Sequence, residues 1–115
     1  MAGLTTHILD TANGLPAKGV RIELYDDKTG QLLGEFVTNA DGRCDQPLLA
    51  ADEMKVAVYR LEFFTADYFA ARGHDLSDPA FLDQITIRFA IADTQSHYHV
   101  PLLVSPFSYS TYRGS

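Results

Sequence analysis

The heptapeptide Ile85-Thr86-Ile87-Arg88-Phe89-Ala90-Ile91 alternates apolar with polar or small residues. Ile85, Ile87, Phe89 and Ile91 therefore fall on one face, and Thr86, Arg88 and Ala90 on the other. A repeat of two belongs to an extended strand with one buried face, and β-branched and aromatic residues suit that geometry. The same period recurs upstream, where Val20, Ile22 and Leu24 alternate with Arg21, Glu23 and Tyr25. Asp26-Asp27-Lys28-Thr29-Gly30 then supplies turn residues before a second strand over 31–38, which makes a hairpin. Asn39-Ala40-Asp41-Gly42 is another turn, in which glycine adopts positive φ at little cost. Further strands are predicted over 4–11, 56–64, 97–104 and 107–113.

One stretch breaks the alternation. Thr65-Ala66-Asp67-Tyr68-Phe69-Ala70-Ala71-Arg72 offers a threonine cap, an acid in its first turn and Gly73 as a stop. It reads as a helix of about two turns, too short to stand without packing on a sheet. Many short strands, frequent turns and one short helix predict an all-β sandwich. Neither repeat nor linker divides the chain, so residues 1–115 are expected to form a single domain.

Composition narrows the function classes. Of 115 residues, nine Lys and Arg against fifteen Asp and Glu leave a formal charge of −6, and 46% are hydrophobic. That apolar content argues against disorder, and the acidic balance argues against a nucleic-acid partner. Apolar runs such as 100–104 are too short to cross a bilayer, and no secretory leader is visible, so a cytoplasmic location is expected. The one cysteine, Cys44, can form neither an internal disulfide nor a cysteine cluster, and it reads as a small half-buried residue.

Chemistry is most concentrated around the histidines. On the first strand Leu4, Thr6 and Ile8 share one face, while Thr5, His7 and Leu9 share the other. Near the end Tyr98, Val100, Leu102 and Val104 form an apolar stripe, which turns His97, His99, Pro101 and Leu103 outward. An outer face mixing histidines with leucines and a proline suggests a surface covered by a subunit or a ligand. Pro101 lacks a ladder donor and marks an edge or an irregularity. His74 and His97 read as ordinary surface residues, whereas His7 and His99 stand evenly between surface and catalytic roles. By themselves Arg43 is a solvated charge and Tyr112 part of a terminal segment. A zinc site on His7, His97 and His99 fits the spacing, but no carboxylate stands out to support it, so metal-free catalysis ranks higher.

Four ordered motifs resemble those of the transthyretin-like proteins, and specifically their 5-hydroxyisourate hydrolase branch. They are Leu4-Thr5-Thr6-His7-Ile8-Leu9-Asp10-Thr11 with Gly14-Leu15-Pro16-Ala17, then Thr38-Asn39-Ala40-Asp41-Gly42-Arg43. The block from His97-Tyr98-His99-Val100-Pro101 to Ser108-Tyr109-Ser110-Thr111 follows, and Tyr112-Arg113-Gly114-Ser115 closes the chain. The resemblance implies an eight-stranded, two-sheet transthyretin-like sandwich with one short helix. It also implies a homotetramer, a dimer of dimers, whose active sites lie in a channel between subunits. The family's functional positions fall on His7, Arg43, His99 and Tyr112, with Ser115 as a further contributor and His7, Arg43 and Tyr112 contacting substrate. The implied reaction opens 5-hydroxyisourate to 2-oxo-4-hydroxy-4-carboxy-5-ureidoimidazoline, on the way from urate to allantoin, without cofactor or metal. The same fold also carries thyroid hormone in such a channel. The terminal tetrapeptide and the two histidines, polar and bulky, argue against that alternative.

Overall fold

The computed structural model describes residues 2–114. Its strands are β1 (Gly3–Asp10), β2 (Leu15–Pro16), β3 (Arg21–Asp26), β4 (Leu32–Val37), β5 (Ala57–Phe63), β6 (Ile85–Ile91), β7 (His97–Val104) and β8 (Tyr109–Thr111). The helix α1 spans Thr65–Ala71. Two four-stranded sheets face each other, one in the order β2-β1-β7-β8 and the other β4-β3-β5-β6. This is the all-β sandwich with one short helix that the alternation predicts. Only β2 has no precursor in the periodicity, because two residues are too few to alternate.

Every strand pair is antiparallel except β1 with β7, which run parallel in the register Gly3 to His97, Thr5 to His99 and His7 to Pro101. The inward stripes meet as expected: Leu4 and Ile8, Ile22 and Leu24, Leu61 and Phe63, Ile85 and Ile91, and Leu102 and Val104 are essentially inaccessible. Burying each such side chain contributes about 1.5–3 kcal/mol relative to leaving it exposed. The core therefore lies between the sheets, and the histidines lie outside it.

The helix differs at its start. Thr65 is the first helical residue, fully buried, and its hydroxyl makes no cap; Phe64 occupies the cap position. A first-turn amide is satisfied from elsewhere, as Ala66 N donates to the Asp83 carbonyl at 3.3 Å. The predicted stop holds. Gly73 has φ +90° and donates to Ala70 O, while His74 N reaches back to Phe69 O at 3.1 Å, the paired bonds of a Schellman end. Tyr68 Oη, donating at 2.7 Å to the inaccessible carboxylate of Asp10, ties the helix to the end of β1.

Pro101 sits in an interior strand rather than at an edge, and the irregularity falls on its β8 side. β7 pairs with β8 only from Leu102 to Val104, and contact with the C-terminal segment resumes as a lone bridge between His99 and Gly114. The Pro101 carbonyl instead accepts the Thr111 hydroxyl at 2.7 Å. No helix among the described residues is long and apolar enough to cross a membrane.

Candidate active site

The parallel register places two rows side by side on the outer face of the first sheet. Thr5, His7 and Leu9 come from β1, and His97, His99, Pro101 and Leu103 from β7. Arg43 joins from the other side of β1, where its backbone bridges that of His7. The turn before it fixes this position. Asn39 Oδ1 accepts from Asp41 N at 2.9 Å and from Arg43 N at 3.2 Å, and Gly42 O accepts from Ile8 N at 2.8 Å. Gly42 is required twice over: its φ is +75°, and a Cβ there would overlap the Ile8 carbonyl.

His99 is bounded by Thr5 on one side and Gly114 on the other. Thr5 Oγ1 lies 2.8 Å from His99 Nδ1, and Gly114 N donates to His99 O at 2.8 Å. A Cβ at Gly114 would stand 2.5 Å from His99 Cδ2, so the last described residue must be glycine for this ring to keep its place.

Electrostatics favours the neutral imidazole at both positions. Burial, then the Arg43 guanidinium, lowers the pKa of His7, outweighing a backbone hydrogen bond and a charge from Asp41 that act upward. His99 is lowered by burial, then by Arg43, His7 and His97. Two half-buried rings are thus held as proton acceptors at neutral pH beside a fixed cation. Cys44 is not a competing nucleophile. Burial and then Asp45 push its thiol up to about 11, so it stays protonated.

His7, Arg43 and His99 thus come together from segments far apart in sequence. Tyr112 does not join them: it is 61% exposed and borders a cleft of about 410 Å³ along the open edges of β6 and β8, with Tyr98 and Arg113. Ser115 lies outside the described residues. Among the described residues no three His, Cys, Asp or Glu side chains gather in a metal-binding geometry. A cavity beside the row, between Thr5, Thr6, Arg43, Cys44 and Gln46, holds about 110 Å³. Small-molecule sites usually offer about 300–1,000 Å³. No local pattern marks Thr5 or Gly114, because their roles depend on which strands pair. The one available signal for Gly114 was its place in the terminal motif.

Two four-stranded sheets in the orders given above, with the histidine row on the outer face of one of them, make this a protein of the transthyretin fold. The chain belongs to the HIUase/Transthyretin family, whose family model matches residues 4–114. It is 54% identical to the 5-hydroxyisourate hydrolase of Pseudomonas aeruginosa, over 100% of this chain and 93% of that one. The 5-hydroxyisourate hydrolase structure from Klebsiella pneumoniae is 36% identical, with a TM-score of 0.84 and full coverage of both chains. A crystal structure of an (S)-allantoin synthase gives a TM-score of 0.93 at 49% identity. This chain spans 99% of its own length there but only 44% of that longer chain.

Proposed function

We propose that this chain hydrolyses 5-hydroxyisourate to 2-oxo-4-hydroxy-4-carboxy-5-ureidoimidazoline, with His7, Arg43 and His99 forming the reacting surface. The observation that carries this reading is the pairing of two neutral-biased histidines with one cation on a single outer face. A neutral imidazole accepts a proton from water as the oxygen attacks the ring carbonyl. Arg43 offers planar donors to the oxygen on which charge develops. The carbon–nitrogen bond then breaks, the ring nitrogen takes up a proton, and the carbonyl becomes a carboxylate. Neither a covalent enzyme intermediate nor a metal enters this scheme. Accumulation of an acyl-enzyme on Cys44 or Ser115 in single-turnover mass spectrometry would overturn that part of it.

A second subunit completes the site in this reading. Three features support the assembly: the small cavity beside Arg43, the half-buried Leu9 and Leu103 next to the histidines, and the exposed Tyr109 and Tyr112 on the open edge. The proposed assembly is a homotetramer, a dimer of dimers, in which Tyr112 reaches substrate at the subunit interface, with Ser115 as a further contributor to catalysis. The chain acts as a single domain over residues 1–115, in the cytoplasm. Protein added to freshly generated 5-hydroxyisourate should speed the ultraviolet absorbance decay above its spontaneous rate. No acceleration, with saturable thyroid-hormone binding in its place, would favour a carrier.

A further inference from the structure

We infer that Thr5 is a positioning residue whose hydroxyl links His99 to His97, fixes the tautomer of His99 and gives the site a proton relay. The inference rests on the proposed hydrolysis, in which His99 acts on water, and extends it to Thr5 and His97 beside it.

Thr5 Oγ1 stands 2.8 Å from His99 Nδ1 and 3.0 Å from His97 Nε2. A hydroxyl has one proton to donate, so it cannot serve as donor to both rings. When both rings are neutral and Thr5 donates its proton to one of them, the other ring must donate to Thr5 for both bonds to form. The three groups therefore make a directional chain with two polarities. In one, His99 Nδ1–H donates to Thr5, Thr5 donates to His97 Nε2, and His99 Nε2 carries a free lone pair. In the other, the tautomers are reversed and His99 Nε2 carries the proton. The first polarity makes His99 a base, and the second makes it an acid.

Proton accounting follows from these two states. His99 Nε2 takes a proton from the attacking water while its Nδ1 proton passes to Thr5 Oγ1. The Thr5 proton moves on to His97 Nε2, so the charge comes to rest on His97, the more exposed ring. On the return, His97 Nε2 gives a proton back through Thr5 to His99 Nδ1, and His99 Nε2–H protonates the departing ring nitrogen. Water's proton is thus stored and redelivered with no other acid or base consumed. The charged and titratable groups around His99 favour moving charge outward: Arg43, His7 and His97 all disfavour an imidazolium there, and no carboxylate opposes them among the causes of its shift. Among the described residues His99 Nε2 makes no hydrogen bond, which leaves it open to water or substrate.

Thr5→Val keeps the β-branched shape on β1 and removes only the hydroxyl, and Thr5→Ser restores it. We expect Thr5→Val to lower kcat about 10–100-fold with KM changed by less than about twofold, and Thr5→Ser to recover most of that loss. His97→Ala should lower kcat about 3–10-fold and reduce a curved proton inventory in mixed H2O/D2O to a straight line. Independently of turnover, 15N chemical shifts of the histidine rings should give His99 one dominant tautomer in the unmodified protein and a mixture in Thr5→Val. Unchanged kcat with unchanged tautomer populations in a folded Thr5→Val protein overturns the inference, as does failure of serine to rescue. If the unmodified protein does not accelerate 5-hydroxyisourate decay, the functional reading falls, and the ring shifts still decide whether Thr5 couples the two histidines.

Discussion

The two outer faces of this sandwich handle charge in opposite ways. On the β4-β3-β5-β6 sheet, each cation meets an anion of the same chain. Arg21 meets Glu23 at 3.1 Å, Arg60 meets Glu62 at 2.7 Å, and Arg88 meets Asp27 at 2.6 Å. Tyr25 donates to Glu23, while Gln84 and Thr86 donate to Glu62, so the hydrogen-bonding needs of this face are met within one chain. On the β2-β1-β7-β8 sheet, Arg43 pairs with no carboxylate among the described residues and instead depresses two histidines. The first face is electrostatically closed. The second keeps a fixed cation, two bases and apolar neighbours uncommitted, and that is the condition a reacting surface needs.

The comparison is broken most directly by emptying the second face. His7→Ala or His99→Ala should fold normally and lose about 10²–10⁴-fold in the decay assay. Arg88→Ala on the other face, and His74→Ala on the loop, should leave the rate near that of the unmodified protein. Near-normal turnover in His99→Ala would remove the assignment of this row. Arg43→Gln should cost about 10²–10³-fold, the usual loss when a group stabilising developing charge is removed. It should also alter the pH profile in a defined sense. Arg43 lowers the pKa of both histidines, so losing its charge lets them rise towards the ordinary value. The base then protonates at higher pH, and the acid limb of kcat/KM moves upward. Arg43→Lys keeps the charge and should keep the limb where it is. A limb that stays put in Arg43→Gln would show that the cation does not control these rings.

A subtler test leaves every polar group in place. Gly114→Ala puts a methyl group where His99 Cδ2 stands 2.5 Å away, so the ring must shift. Displacements of about 1 Å at a reacting group cost up to about 10²-fold, and the loss should appear in kcat with the melting temperature little changed. Turnover equal to that of the unmodified protein would mean that the position of His99 is not critical.

How much of this was legible in the chain depends on the range of the interaction that decides each feature. β6 and β7 begin and end where the alternation predicts, because period two and a buried face are local properties of the segment. The turn that positions Arg43 was also readable, since Asn39 and Gly42 act within a few residues of it. The predicted strand over 107–113 shortens to Tyr109–Thr111 because residues 105–108 close a turn, with Ser105 N on Ser108 O at 2.8 Å, and Pro101 offers no donor further on. Thr65 makes no cap because burial claims its side chain and a distant carbonyl does the work. The link from Thr5 to His97 and His99 was out of reach. It requires two strands more than ninety residues apart to pair in parallel and in one register, and no local pattern encodes a partner. The resemblance supplied His7, Arg43 and His99 as a set, and the pairing supplies the reason they form one.

The smallest expected effect comes from the closed face. Glu62, 6% exposed, accepts from Arg60 at 2.7 Å, from Gln84 at 3.0 Å and from Thr86 at 2.5 Å. Glu62→Gln preserves the shape but removes the charge that opposes Arg60, and leaves an amide group where three donors converge. Exposed ion pairs contribute about 0.2–1 kcal/mol, while breaking a buried one costs about 3–5 kcal/mol. Arg60 is partly solvated and retains Asp27 at 3.4 Å, so the loss should sit nearer the lower range, about 1–2 kcal/mol. The measurement is the urea midpoint at an unchanged slope, with the decay assay run on the same preparation. Turnover should not change, since Glu62 and its partners lie on the outer face of the other sheet, across the apolar core from the histidine row. A tenfold fall in rate in Glu62→Gln would mean that charge on one face is felt on the other, and that the two faces are not independent.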